Sequence, residues 1–362
     1  MKQFIALIAF LFLSACVQVE QSESIKIGAV LPLSGWGAYW GSPEQKGIAL
    51  AVDEIRAQGG KIEVIIEDSK TGAKDAATAG SKLINIDKVQ GIISEFAAPS
   101  SSISPMSVES RIPVIYDALS KKILSENPYA LKVYFDSEKE CYVATKYLAQ
   151  KGYKVIGGVI LNLDFSPECK RGMDKTAGEN EIAVKYYDFD ADTTDFKTII
   201  TKMQNDKIES VVFIGYEDHA LIFFKQRSDL GFIVPVFTGT SKADTFTDKV
   251  ISESPKESLE GTITYDQKIR EGFVQKMNAR HPEITDPDLF AAATGYDEIM
   301  YLYRGLSKCS GKSAECVVSA IMSDKDYQSA LETEGFGADR VMHLIPSYST
   351  YSKGELIPLE VE

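Results

Sequence analysis

The sequence has few of the residues that build metal centres and catalytic triads. Its 362 residues include only three histidines and five cysteines. The histidines are scattered at His219, His281 and His343, and no two cysteines have the two-residue gap of a zinc knuckle. A nucleophile elbow, a Walker loop and a His-Glu-x-x-His helix are also missing. We therefore predict no metal site, no cofactor and no enzymatic activity.

Basic residues are also in deficit. Lysine and arginine number 39 against 52 acidic residues, which gives a net charge of −13. A chain that binds nucleic acid through phosphates needs the opposite balance. We therefore predict no nucleic-acid partner. The charge suits an exported protein but says little about a ligand.

Long apolar runs are missing as well. The longest, Phe4 to Leu13, has ten residues, half of what a membrane-spanning helix needs. With Lys2 before it, this run predicts an export signal over residues 1–15 and a tether over 16–24. The quartet ending at Cys16 resembles the bacterial lipobox, which predicts an exported protein anchored by lipid on Cys16 to the cell membrane or facing the periplasm. The alternative is an ordinary signal peptide with an incidental cysteine.

Removing Cys16 leaves four cysteines, an even number that suits an oxidising compartment. We expect Cys141 to pair with Cys169 and Cys309 to pair with Cys316. The second pair closes a short loop typical of a turn between helices. The alternative is four buried free thiols. A count of cysteines also does not fix which of them pair.

The sequence after the predicted tether alternates between strand and helix patterns. Strands over 25–31, 62–67, 91–94 and 113–116 alternate with helices, and the pattern starts again at 155–161 and ends at 234–238. Such an order predicts parallel strands with helical crossovers. At this length two lobes are expected rather than one core.

The last third continues neither half. It has helix patterns at 269–280 and 291–307 and a strand-like tail at 342–359. We predict an α/β fold of two doubly wound parallel-sheet lobes joined by a hinge that the chain crosses three times, near Ser137, Tyr265 and His343. Lobe 1 takes residues 25–137 and 267–343, and lobe 2 takes 138–266 and 344–362.

Short motifs in order along the chain resemble those of the type I periplasmic binding proteins, specifically the leucine/isoleucine/valine-binding protein family. They are Ile27-Gly28-Ala29-Val30-Leu31-Pro32-Leu33-Ser34-Gly35, Leu50-Ala51-Val52-Asp53-Glu54-Ile55, Glu67-Asp68, Lys82-Leu83-Ile84, Ile112-Pro113-Val114-Ile115 and Gly295-Tyr296-Asp297. The resemblance covers nearly the whole mature chain, and it depends on the order and spacing of the motifs rather than on any one of them.

This resemblance implies a monomeric solute receptor of an ABC importer, which captures an amino acid or similar small polar solute between two closing lobes and delivers it to a membrane permease. An alternative is a binding protein that senses a ligand and signals to a membrane receptor or regulator. A third is an exported enzyme or scaffold of the same shape.

The resemblance also implies site residues in lobe 1. In the family, loops after the third and fourth strands hold the solute carboxylate. The fourth-strand loop places Ala118 and Ser120 there, although Ser120 could instead cap a helix. In the third-strand loop either Ala98 or Ser100 holds the serine position. Glu95 replaces a small residue and could also point to solvent.

The loop after the first strand holds both tryptophans of the chain. Trp36, Tyr39 and Trp40 lie between Gly35 and Gly41. Exposed aromatic side chains of this kind usually cover a ligand or another part of the protein, and in the family an aromatic residue here packs against the solute side chain. We expect Trp36 and Tyr39 to contact the ligand, or else to pack against the lobe.

Lobe 2 contributes candidates at its strand ends. Tyr216, Glu217 and Thr240 resemble the family's tyrosine and ammonium-binding acid, but a threonine stands at the acid's usual position. Glu217 is the candidate substitute, and an exposed loop carboxylate that is merely solvated is the alternative. Asp164, with Phe165 beside it, could line the same cleft.

Overall fold

The computed structural model describes residues 24–309 and 313–361, apart from the side chains at 286 and 287. The predicted export signal and Cys16 lie outside the described residues. Within the described part, no helix has the length and apolar character needed to cross a membrane.

Strands and helices alternate along the chain. The strands are β1 Ile25–Leu31, β2 Ile62–Asp68, β3 Gly91–Glu95, β4 Val114–Asp117, β5 Ala130–Lys132, β6 Val155–Leu161, β7 Ala183–Phe189, β8 Ser210–Ile214, β9 Val236–Thr238, β10 Ile263–Gln267, β11 Thr333–Phe336, β12 Met342–Leu344, β13 Pro346–Ser352 and β14 Glu355–Leu359. The α-helices are α1 Ala38–Ala57, α2 Ala73–Lys82, α3 Ala97–Ser110, α4 Lys122–Glu126, α5 Ser137–Gln150, α6 Ser166–Asn180, α7 Lys197–Asn205, α8 Glu217–Asp229, α9 Asp248–Glu253, α10 Lys256–Leu259, α11 Glu271–Arg280, α12 Asp286–Lys308 and α13 Ala314–Met322.

The first sheet has five parallel strands in the order β2-β1-β3-β4-β5. Isoleucine and valine fill its inner strands, as expected where helices cover both faces. Helices α2 and α3 pack together on one face, and α1 packs against α12 on the other. The long helix α12 therefore returns to the first lobe after the chain has built the second.

The second sheet has seven strands in the order β14-β13-β10-β9-β8-β6-β7. Strands β6 to β10 are parallel, but β13 runs antiparallel to both β10 and β14. The predicted strand-like tail is thus a hairpin on one edge, turning at Gly354, whose φ of 97° suits glycine. Strands β11 and β12 form a separate two-stranded sheet.

The chain passes between the two main sheets three times: after β5, after β10, and between β12 and β13. The predicted α/β fold class with a three-crossing hinge is confirmed. The sequence pattern did not predict β5 or α5, although Asp136 caps α5 by accepting bonds from the amides of Glu138 and Lys139. A three-residue strand carries too little periodicity to detect.

Both predicted disulfides are present. Cys141–Cys169 joins α5 to α6, and Cys309–Cys316 joins the end of α12 to α13. The first lies in the core of the second lobe, since both of its cysteines are fully buried. The alternative of four free thiols is therefore wrong.

Candidate functional site

A cleft of about 260 Å³ lies between the two sheets, at the carboxyl ends of their parallel strands. Loops after β1 to β4 form one wall, with Trp36, Trp40, Thr71, the segment 95–99 and the segment 117–120. The other wall comes from loops after β6, β8 and β9, with the segment 163–165, Tyr216 and Asp244. Tyr134, in the first crossing, lies between them. Parallel α/β sheets bind ligands at this edge.

Six of the predicted ligand contacts line this cleft. They are Trp36, Ala98, Ala118, Ser120, Asp164 and Tyr216. They come from both walls, so the strand-end argument placed these residues on one cavity.

Four other predicted contacts do not line the cleft. Ser100 is buried and bonds to Ser94, with 3.0 Å between the two hydroxyl oxygens. Thr240 is also buried, and its hydroxyl bonds to that of Thr245. Both side chains are thus used to hold their own loops.

Glu217 and Tyr39 lie outside the cleft for different reasons. Glu217 accepts bonds from Thr247 at 2.7 Å and Lys249 at 2.8 Å. The ring of Tyr39 contacts Trp40 edge to face and leaves the residue 55% exposed. Long-range partners such as Thr247 and Lys249 leave no signal in the sequence around Glu217.

Aromatic rings give the cleft its apolar surface. Trp36 and Phe96 lie with ring centroids 5.1 Å apart. Trp40 meets Tyr134 edge to face at 6.3 Å, and both pack on Phe290 of α12. Phe165 and Tyr216 face them from the second lobe. This arrangement suits a flat or aliphatic group held between two walls.

Phe96 holds an unusual backbone conformation. Its φ of 65° and ψ of 151° fall in a region that essentially only glycine occupies, and such a conformation costs roughly 1–3 kcal/mol. Strain of this kind is kept only where the surroundings enforce it, and here the ring it presents lines the cleft.

The cleft lining is acidic. Glu95, Asp117, Asp164 and Asp244 line it, and among the described residues around the cavity none is lysine, arginine or histidine. Asp244 accepts a 2.9 Å bond from the Tyr134 hydroxyl and a 2.8 Å bond from Ser241. Burial raises the pKa of Asp244 despite these bonds. Sequence reasoning missed Asp244 and Tyr134 because their pairing spans 110 residues.

Hydrogen bonds link the walls. The Ser120 hydroxyl donates to Glu168 of α6 at 3.2 Å, and the Lys121 amide donates to the same oxygen at 2.9 Å. Lys121 Nζ also pairs with Asp136 at 2.9 Å, at the start of α5. Ser120 also accepts a 3.2 Å bond from the Lys122 amide, but the N-cap residue of α4 is Lys121, so the alternative that Ser120 caps this helix is wrong. Burial raises the pKa of Glu168.

Two lobes that enclose a cleft at their strand ends define the class of two-lobed solute-binding proteins. The chain belongs to the periplasmic binding protein family, whose model matches residues 24–343. The predicted family resemblance is therefore confirmed, and an extracytoplasmic location follows from the family.

Known relatives are distant in sequence. A binding protein for leucine, isoleucine, valine, threonine and alanine from Pseudomonas aeruginosa is 22% identical over 322 residues, covering 84% of this chain and 83% of the relative. A leucine-binding protein from Thermotoga maritima has a TM-score of 0.77 at 19% identity, covering 93% and 98% of the two chains. A solute-binding protein from R. palustris with bound 4-hydroxybenzoate reaches 0.78 at 19% identity, covering 94% and 96%.

Glu168→Ala should loosen the contact between the lobes. It removes the acceptor of two bonds, and a hydrogen bond to a charged group contributes about 1.5–3 kcal/mol, so the open form should gain at least about tenfold in population. Small-angle X-ray scattering of the solute-free protein should show a larger radius of gyration. Glu179→Ala is the control, because Glu179 is on the same helix but bonds Tyr142 within the second lobe. Equal radii for Glu168→Ala and wild type would refute this role.

Proposed function

We propose that the protein is the solute receptor of an ABC importer and binds an amino acid or similar small polar solute between its two lobes. The observation that carries this proposal is the enclosed cleft at the facing strand ends, with Ser120 on one wall and Tyr216 on the other. The names of two relatives support it, since both are binding proteins for leucine, isoleucine and valine, and one also for threonine and alanine. A membrane permease is then the partner that recognises the closed form.

In this proposal the two lobes take the limits predicted from the sequence, 25–137 with 267–343 and 138–266 with 344–362. Each would move as one body, with the three crossings as the hinge. Solute bridging the walls favours the closed form, and it shifts the population only by its preference for that form. The protein acts as a monomer in this scheme.

The cleft contains groups that can bind both the carboxylate and the ammonium group of an amino acid. Ser120 and the backbone amides of the loops around Ala98 and Ala118 are donors for a carboxylate. We assign Asp244 as the acceptor for the ammonium group, the role left open when threonine was found at position 240. Asp244 is buried on the second wall, and Ser241 and Tyr134 orient it. Trp36, Phe96 and Tyr216 would enclose the solute side chain.

A screen of solutes by thermal unfolding tests this function. Amino acids, amides and aromatic carboxylates are added to the mature protein, and a true ligand at a hundred times its Kd should add about 2.7 kcal/mol. Tyr216→Ala should weaken that ligand roughly tenfold by removing one wall. Tyr186→Ala is the control, a half-buried tyrosine on β7, away from the cleft. The proposal fails if no solute raises the melting temperature, or if both variants bind equally well.

Two substitutions separate the strain at Phe96 from the use of its ring. Phe96→Ala removes the ring but keeps a side chain in the glycine region, whereas Phe96→Gly removes both. Both should bind solute equally weakly, and the glycine variant should be more stable than the alanine variant by about 1 kcal/mol. Calorimetric titration and denaturant unfolding measure the two effects. A Phe96→Ala protein with wild-type affinity would contradict the role of the ring.

We also propose that the protein is a lipoprotein anchored through Cys16. The apolar run, the small residues before Cys16 and the even number of remaining cysteines support this. Cys16→Ser should move the protein from the membrane fraction to the soluble fraction. Fractionation of cells, with mass spectrometry of the mature N-terminus, measures the change. Unaltered membrane association of Cys16→Ser would refute the anchor.

A further inference from the structure

Four acidic side chains meet inside the first lobe, behind the cleft wall. Glu44 comes from α1, Glu95 from the end of β3, Asp117 from the end of β4 and Glu298 from α12. Their exposed fractions are 0%, 1%, 3% and 0%. Four separate elements thus bring carboxyl groups to one buried place, where helices α1 and α12 cover the sheet.

Among the described residues, no basic side chain forms an ion pair with these groups, and Lys132 acts on Asp117 only through its charge. The carboxyl groups of Glu44 and Glu95 bond to each other, but no group outside the cluster bonds to their oxygens or to Oδ1 of Asp117. The other Asp117 oxygen accepts a 3.4 Å bond from the Trp40 indole. The buried cation nearest in the fold, Lys132, instead donates to the carbonyls of Tyr134 and Phe135. A buried carboxylate without a partner destabilises the fold unless a cation or a proton neutralises its charge.

The geometry of three of these groups suits a metal ion. Glu44, Glu95 and Asp117 each offer an oxygen, and these oxygens all lie within 4.8 Å of one another. Hard divalent cations bind oxygen at about 2.0–2.6 Å, so a single ion can reach oxygens at such separations. The ligand set contains only carboxylates, which favours calcium, magnesium or manganese over softer metals.

We propose that Glu44, Glu95 and Asp117 form a binding site for a divalent cation of the oxygen-preferring class. Glu95 carries the argument beyond an acidic cluster, because it is fully buried, has no hydrogen-bond partner outside the cluster and also lines the cleft. An ion could therefore enter from the solute cleft. Glu298 adds negative charge next to the site. This proposal departs from the prediction of no metal site, which considered histidines, cysteines and known motifs, because the three carboxylates are spread from position 44 to 117.

The ion would fix the first-lobe wall. Glu95 directly precedes the strained Phe96, and Asp117 precedes Ala118 and Ser120. A cation that holds both carboxylates ties the β3 and β4 loops to α1. The proposal stands apart from the transport function, because the site needs only one lobe and can be tested without solute.

Terbium luminescence provides a direct test. Terbium substitutes for calcium, and it emits when a nearby tryptophan absorbs light; Trp40 bonds to Asp117 and is one of only two tryptophans. We expect sensitised emission with the metal-stripped mature protein, and competition by calcium, magnesium or manganese. Glu44→Gln and Glu95→Gln should each weaken binding by at least about tenfold, since loss even of an outer partner of a metal ligand costs that much.

Glu140→Gln is the matched control, because Glu140 is a buried glutamate of α5 outside the cluster. Melting temperatures with and without cation show whether each variant folds. Glu44→Gln and Glu95→Gln should be no less stable than the metal-free wild type, since they relieve repulsion, but should lose the rise caused by the cation. The proposal is overturned if millimolar cation neither binds nor stabilises the wild type, which would mean that protons alone neutralise the cluster. It is also overturned if Glu140→Gln weakens binding as much as Glu95→Gln does.

Discussion

The constraint on which the rest of the structure depends is the way the chain crosses between two sheets three times. Each sheet is parallel where it borders the cleft, so the loops that follow its strands all emerge at one edge. The crossings hold those two edges opposite each other. Residues as distant as Trp36 and Asp244 therefore share one cavity, and movement of one lobe against the other changes its size.

The cleft combines features that do not add to stability. Phe96 adopts a glycine conformation, and acidic groups line the cleft without a basic side chain among its described residues. Proteins retain such destabilising features where the features serve ligand binding. In the proposed function, the aromatic rings offer contact area for the apolar part of the solute, whereas Asp244, Ser120 and the loop amides fix its orientation. The same wall continues inward to the buried acids, so the solute site and the proposed cation site share Glu95 and Asp117.

Polar bonds join the two lobes around the cleft, beside the aromatic contacts that Phe135 of the first crossing makes with Tyr265 and Phe290. Glu168 receives the Ser120 hydroxyl and the Lys121 amide, and Asp244 receives the Tyr134 hydroxyl. Polar contacts of this kind can be exchanged for water when the lobes separate, which a large apolar interface would prevent. Within the second lobe, by contrast, the Cys141–Cys169 disulfide and its core keep α5 and α6 together.

The sequence by itself determined the alternation of strands and helices and the two-lobed fold, because strand periodicity and strand ends are local features. The even number of cysteines favoured both disulfides, and the strand ends with the family resemblance indicated six of the cleft residues. The tertiary structure decided the rest. It alone showed that Ser100, Thr240 and Glu217 form hydrogen bonds with nearby residues outside the cleft. It also showed that Asp244 and Tyr134 meet in the cleft. It also brought Glu44 and Glu298, 254 residues apart in number, beside Glu95 and Asp117. Such partnerships depend on how whole elements pack, and no local pattern of residues encodes them.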